Sequence, residues 1–140
     1  MNLRKDFDVV VFDVDGVLLL NTTSGYVRNE WLFDFNARLR QSRIATYTAT
    51  NLDTAAAEKL SHSLDFQGAF DGIFTPQITG FSKPDIRFFK FIDEILNLDS
   101  TRILFIDNKP ENADAPEELG WQGYTFISNE KLMEDFDLGE

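Results

Sequence analysis

The chain reads as a single α/β domain built on a parallel sheet of about five strands, with helices on both faces. Three observations predict this. Two runs, Val9-Val10-Val11-Phe12, mostly β-branched or aromatic, and Ile103-Leu104-Phe105-Ile106, are wholly apolar, as expected of strands buried on both faces. Between and after them, short apolar runs alternate with stretches of helical period, giving βαβαβαβαβ with short connections. A chain of 140 residues fits one domain, 1–140, without repeat, linker or low-complexity tract.

The elements follow in order. Val9–Phe12 stops at Asp13-Val14-Asp15-Gly16, two carboxylates spaced i, i+2 before a turn glycine. Val17–Leu20 and the polar turn Asn21–Gly25 read as a small hairpin or flap. From Val27 a stripe of Val27, Trp31, Leu32, Phe35 and Leu39 predicts a helix to about Gln41. Ile44–Ala49 is a second strand, ending in Thr50-Asn51. Asp53 or Asn51 caps an alanine-rich helix, Thr54–Leu64. Phe70–Thr75 is a third strand, closed by Pro76 and a Gly80 loop. Lys83-Pro84 opens the next helix, with Phe88, Phe91, Ile92, Ile95 and Leu96 as its apolar face. The Ile103–Ile106 strand ends in Asp107-Asn108. A helix from Pro110-Glu111 to Gly120, a strand Tyr124–Ile127, and an acidic tail from Asn129 with one loose helical turn complete the chain. Trp31 and Trp121 read as core, and His62 as surface.

Composition narrows the function. A net charge of −11 and a pI near 4.4 disfavour nucleic acid and anionic membrane as partners. The same field repels phosphorylated small molecules, so a phosphate site would need a local cation. The absence of cysteine excludes disulfides and thiolate chemistry and fits a reducing, cytoplasmic compartment. No apolar stretch follows the N-terminal charges, so no signal peptide is expected, and no run is long enough to span a membrane.

Polar residues directly follow three of the apolar runs: Asp13/Asp15, Thr50/Asn51 and Asp107/Asn108. In a parallel sheet these strand ends share one edge, where ligands of open α/β sheets bind. Together with Lys83 at a helix start they suit phosphoryl transfer. One carboxylate can serve as nucleophile and a second as proton donor and acceptor. Hydroxyl and backbone N–H groups can bind phosphoryl oxygens, lysine can neutralise charge, and carboxylates can hold Mg²⁺.

This order, Asp13-Val14-Asp15-Gly16, Thr50-Asn51, Lys83-Pro84-Asp85 and Asp107-Asn108, resembles the four motifs of the haloacid dehalogenase-like (HAD) hydrolases over about Asp8 to Ile127. The resemblance implies a three-layer Rossmann-like core and an Mg²⁺-dependent phosphatase acting through an aspartyl-phosphate. Asp13 would be the nucleophile and Asp15 the general acid/base. Thr50, Asn51 and Lys83 would bind phosphate, and Asp13, Asp15 through its backbone carbonyl, Asp107 and Asn108 would surround the metal. An acid at position 15 favours phosphate esters over halides. Asn108 departs from the family pattern, where a second acid is common, and predicts weaker Mg²⁺ binding; Glu111 is a candidate to compensate. The intervals from Asp15 to Thr50 and from Asn51 to Lys83 leave no room for a cap domain. An open site then implies a bulky substrate, such as a phosphoprotein or a lipid- or sugar-linked phosphate, or closure by a second subunit through Val17–Leu20. The competing readings are a non-catalytic binding or scaffold protein on the same fold, a receiver-type phosphoacceptor domain, and a phosphomutase or transferase.

Overall fold

The computed structural model describes residues 3–136. A short helix α1 (Leu3–Asp6) leads into β1 (Val9–Phe12), followed by a hairpin of β2 (Leu19–Thr22) and β3 (Gly25–Arg28), then α2 (Glu30–Gln41). Next come β4 (Ala45–Ala49), α3 (Thr54–Ser63), β5 (Gly72–Phe74), α4 (Pro76–Thr79) and α5 (Ile86–Leu96). The chain continues through β6 (Ile103–Asp107), α6 (Pro110–Asp114), a 3₁₀ segment (Ala115–Leu119), β7 (Gln122–Thr125) and α7 (Asn129–Asp135). Five strands form one sheet in the order β5-β4-β1-β6-β7, all parallel, while β2 and β3 pair only with each other.

The wholly apolar runs sit where they must. β1 and β6 are the central neighbours, and every residue of both is buried. Their side chains alternate between two cores. Val10, Phe12, Leu104 and Ile106 pack with Leu32, Phe35 and Leu39 of α2 and Leu132 of α7; Val9, Val11, Ile103 and Phe105 pack with Phe88, Phe89 and Ile92 of α5 and with Trp121. The result is three layers, helix–sheet–helix. Phe89 centres the second core, its ring edge-on to Phe88, Phe105 and Trp121 at 5.2, 5.2 and 5.8 Å. Phe89→Ala should cost about 3–5 kcal/mol in denaturant unfolding, because close-packed rings cannot collapse into the space left.

Several elements differ from expectation. Val27 lies in β3, paired with Leu20, and α2 starts at Glu30 because Asn29 caps it, its side chain accepting from the Leu32 N–H. Lys83-Pro84 precedes α5 rather than opening it; Asp85 is the cap, accepting from the Arg87 N–H. The face of α5 includes Phe89 in place of Ile95, which is exposed, since the Phe89–Phe105–Trp121 ring cluster selects it. The helix from Pro110 changes to 3₁₀ at Ala115, where Pro116 brings no N–H. Trp121 is core, but Trp31 is half-buried, stacked on Phe35 at 5.5 Å. α7 is more than a loose turn, capped by Ser128 with Leu132 buried; residues 137–140 of the expected tail lie outside the described residues.

The expected apolar contact surface at Val17–Leu20 is overturned. Val17, Leu18 and Leu19 are fully buried under the hairpin, because Leu19 N–H bonds back to Val14 O and folds the run into the core; only Leu20 is exposed. Between β1 and β4 the chain holds just this hairpin and α2, and between β4 and Lys83 only α3, β5 and α4, so no cap domain is inserted. Among the described residues no helix is long and apolar enough to cross a membrane.

Candidate active site

The sheet order places a topological switch point at β1. The chain winds from β1 through β4 to β5 on one side, then crosses to β6 and β7 on the other, leaving a crevice at the carboxyl ends of β1 and β6. Register brings Phe12 beside both Thr48 and Ile106, so Asp13 emerges level with Ala49 and Asp107. A receiver-type domain has a different winding, 2-1-3-4-5 in strand order, whereas the parallel strands here run 3-2-1-4-5.

Lys83 ties the three strand ends together. Its ammonium has three protons and finds three acceptors, each at 2.8 Å: Asp13 Oδ1, Asp107 Oδ2 and the carbonyl of Ala49. Its side chain is 2% exposed, and Asp107 is fully buried. Asp107 Oδ1 also accepts from the Lys109 N–H at 2.9 Å. Two carboxylates and one ammonium leave this buried group one negative charge in excess. Burial pushes the Asp13 carboxyl up to about 6, outweighing the opposing pull of Lys83, with the Asp107 charge adding to the rise.

The second strand end contributes support. Asn51 grips the Lys83 backbone, its Oδ1 accepting from Lys83 N–H at 2.8 Å and its Nδ2 donating to Lys83 O at 3.0 Å. Both ends of the Asn51 amide, expected at a phosphate, are thus engaged with the lysine backbone. Thr50 is buried beside Ala49, its hydroxyl accepting from the Leu52 N–H at 3.1 Å.

Asp15 stands apart from this cluster. It is exposed at the mouth, bridged to Leu19, and faces Tyr26 on the hairpin. Burial, and after it the charge and hydrogen bonding of Asp15, push the Tyr26 hydroxyl pKa up. The return strand of the hairpin is pinned by Arg28, whose Nη1 donates to Leu64 O and Asp65 O at 3.3 and 2.7 Å and whose guanidinium lies 4.2 Å over the Phe33 ring.

Asn108 completes the site. It is exposed, and a terminal atom of its amide stands 3.1 Å from Asp13 Oδ2 and 3.3 Å from Asp107 Oδ1. Among the described residues no group of three His, Cys, Asp or Glu could hold a metal ion, and Glu111 lies exposed in the first turn of α6. The donor set still fits a hard divalent cation. Such ions take oxygens at about 2.0–2.1 Å in near-octahedral geometry, which sets neighbouring donors about 3 Å apart. The Asn108 amide stands at nearly that spacing from both Asp13 Oδ2 and Asp107 Oδ1.

Gly16 makes this possible. Its φ of 86° lies in the left-handed region, and a Cβ there would collide with the Asn108 amide. Gly16→Ala should therefore displace Asn108 and weaken divalent-cation affinity, measured calorimetrically, while circular dichroism remains that of a folded protein. Sequence reasoning missed Gly16 as a packing residue, and also Tyr26 and the Ala49 carbonyl. A flap tyrosine and a turn glycine are visible in the sequence, but only the folded chain shows that they meet Asp15 and Asn108.

Comparisons with known proteins agree with this architecture. The chain has the fold of the HAD-like hydrolases. No family model matches it. It is similar over 94% of its length to a HAD family enzyme from Bacteroides thetaiotaomicron (TM-score 0.80, 14% identity, 98% of that chain), a protein also solved in complex with magnesium and inorganic phosphate. It is likewise similar to the L-2-haloacid dehalogenase from Xanthobacter autotrophicus (TM-score 0.75, 12% identity, 96% of this chain and 84% of that one). In sequence it is 28% identical over 85 residues to the sesquiterpene phosphatase AstK of Aspergillus oryzae. That match covers 61% of this chain and 43% of the relative, so the chain spans less than half of that protein's length.

Proposed function

We propose that the protein is an Mg²⁺-dependent phosphatase that transfers a phosphoryl group to Asp13 and then to water. The observation that carries this reading is the convergence of Asp13, Asp107 and Lys83 at the switch point, with Asp15 exposed at the mouth. The HAD fold, the phosphatase relative and the magnesium and phosphate held by a structural neighbour support it.

The steps balance on the chain's own residues. An Asp13 carboxylate oxygen attacks phosphorus; the bond from phosphorus to the ester oxygen breaks, and Asp15 gives that oxygen its proton. Asp15 then takes a proton from water, whose oxygen attacks phosphorus, and the bond to Asp13 breaks to release phosphate. Lys83 holds Asp13 and Asp107 at fixed spacing, and the Thr50 hydroxyl and Asn51 N–H bind phosphoryl oxygens. Asp13, Asp107, Asn108 and the Asp15 carbonyl would hold Mg²⁺, which would supply positive charge against the phosphoryl oxygens. Among the described residues no cap is inserted and the hairpin carries Tyr26 against Asp15 at the mouth; an open site favours a phosphate carried on a bulky group.

Hydrolysis of an aryl phosphate with and without Mg²⁺ tests the reading. Turnover that requires the metal and is lost in chelator is expected; metal-independent turnover would contradict it. One observation favours a second reading, a binding protein on the same fold: the third metal donor is an amide rather than an acid. Silence at saturating Mg²⁺ in both the native protein and Asn108→Asp would select that alternative.

A further inference from the structure

The Asn108 amide admits two orientations with different chemistry. With nitrogen toward the carboxylates, it donates to Asp13 Oδ2 at 3.1 Å and to Asp107 Oδ1 at 3.3 Å. With oxygen there, the amide oxygen faces a carboxylate oxygen of Asp13 and one of Asp107 with no proton between, which is unfavourable unless a cation sits among them. We propose that Asn108 is a reversing ligand. Without a divalent cation its NH₂ bridges Asp13 and Asp107; when the cation binds, the amide turns half a revolution and presents its oxygen.

The proposal rests on the reading of this site as Mg²⁺-binding and adds a second role for one residue. Three features make the turn feasible. Asn108 is exposed, and a half-turn of its amide exchanges two terminal atoms of similar size in the same places. The amide torsion joins sp³ to sp² carbon and is broad and two-fold. The other amide terminus faces Gly16, which has no Cβ, so either atom fits there.

The charge balance explains why an amide serves. Lys83 already offsets one of the two buried carboxylates and has no proton left to give. An aspartate at 108 would add a third negative charge against that one ammonium. The amide lends two N–H groups to the cation-free state and one oxygen to the bound state. It thus gives up some metal affinity to lower the repulsion in the empty site.

Two measurements on the full-length protein test this, using MgCl₂ as the probe. In ¹⁵N-labelled protein, the Asn108 side-chain NH₂ pair, identified by its absence in Asn108→Ala, should show slowed hydrogen exchange in chelator. It should shift, and exchange faster, as Mg²⁺ saturates the site. In thermal melts, Asn108→Asp should unfold at lower temperature than the native protein in chelator. The same variant should bind Mg²⁺ about tenfold more tightly, from its added ligand charge. If Mg²⁺ binds while the NH₂ pair neither shifts nor changes its exchange, the reversal is wrong and the phosphatase reading stands. If Mg²⁺ changes neither spectra nor melting of the native protein, both fail together.

Discussion

Asp13→Asn is expected to lower Mg²⁺-dependent phosphate-ester hydrolysis by about a thousandfold or more while the protein stays folded. The amide keeps the shape of the carboxylate and can still accept from Lys83 Nζ through its oxygen. It cannot form an acyl phosphate. Removing one of two buried negative charges from a group with one ammonium also leaves the cluster neutral, so the variant should melt no lower than the native protein. Steady-state turnover beside a melt checks both halves. Residual activity within tenfold of the native rate would mean that another group attacks phosphorus.

Lys83→Met carries the largest expected effect on stability. The ammonium holds two carboxylates that burial has stripped of water, and no other cation among the described residues contacts either of them. Breaking a buried pair by deleting one partner costs about 3–5 kcal/mol, and here two carboxylates and the Ala49 carbonyl lose their donor at once. The loss should depend on pH, and its sign follows from Asp13. That carboxyl already sits near 6 in the fold against an ordinary 3.8, so its protonated form is the favoured one there. The stability it contributes is full below about 3.8 and is lost as pH rises through about 6. Without Lys83 the value rises further, so the variant should be weakest at pH 8 and recover progressively as pH falls. Mg²⁺ should also restore part of the loss at pH 8, since it replaces the missing positive charge. Denaturant unfolding at pH 5 and pH 8, with and without Mg²⁺, gives all four values.

The sequence disclosed the frame because a buried parallel sheet leaves a strong mark. Val9–Phe12 and Ile103–Ile106 can be nothing polar on either face, and both end at acids where the sheet meets solvent. That pattern placed Asp13 and Asp107 on one edge, and the strand after Arg43 added Thr50 and Asn51. What stayed hidden depends on contacts between loops. Asn51 and Lys83 are far apart in the chain, and nothing local shows that one amide clamps the other's backbone. Val27 continued a helical spacing by accident, until Asn29 fixed the true start of α2. Ile95 and Phe89 are equally apolar, and only the rings of Phe105 and Trp121 decide between them. Residues that bind the backbone are read from sequence less easily than residues that break it.

The central claim is that Asp13 is covalently phosphorylated during turnover. Acid quenching with substrate and Mg²⁺ present, borohydride reduction and peptide mass analysis would detect it, since an aspartyl-phosphate is reduced to homoserine and a free carboxylate is not. Homoserine at position 13, present only with substrate and absent from Asp13→Asn, is the predicted result. Sustained turnover with position 13 unmodified, or with the modification at Asp15 or Asp107, would contradict the account.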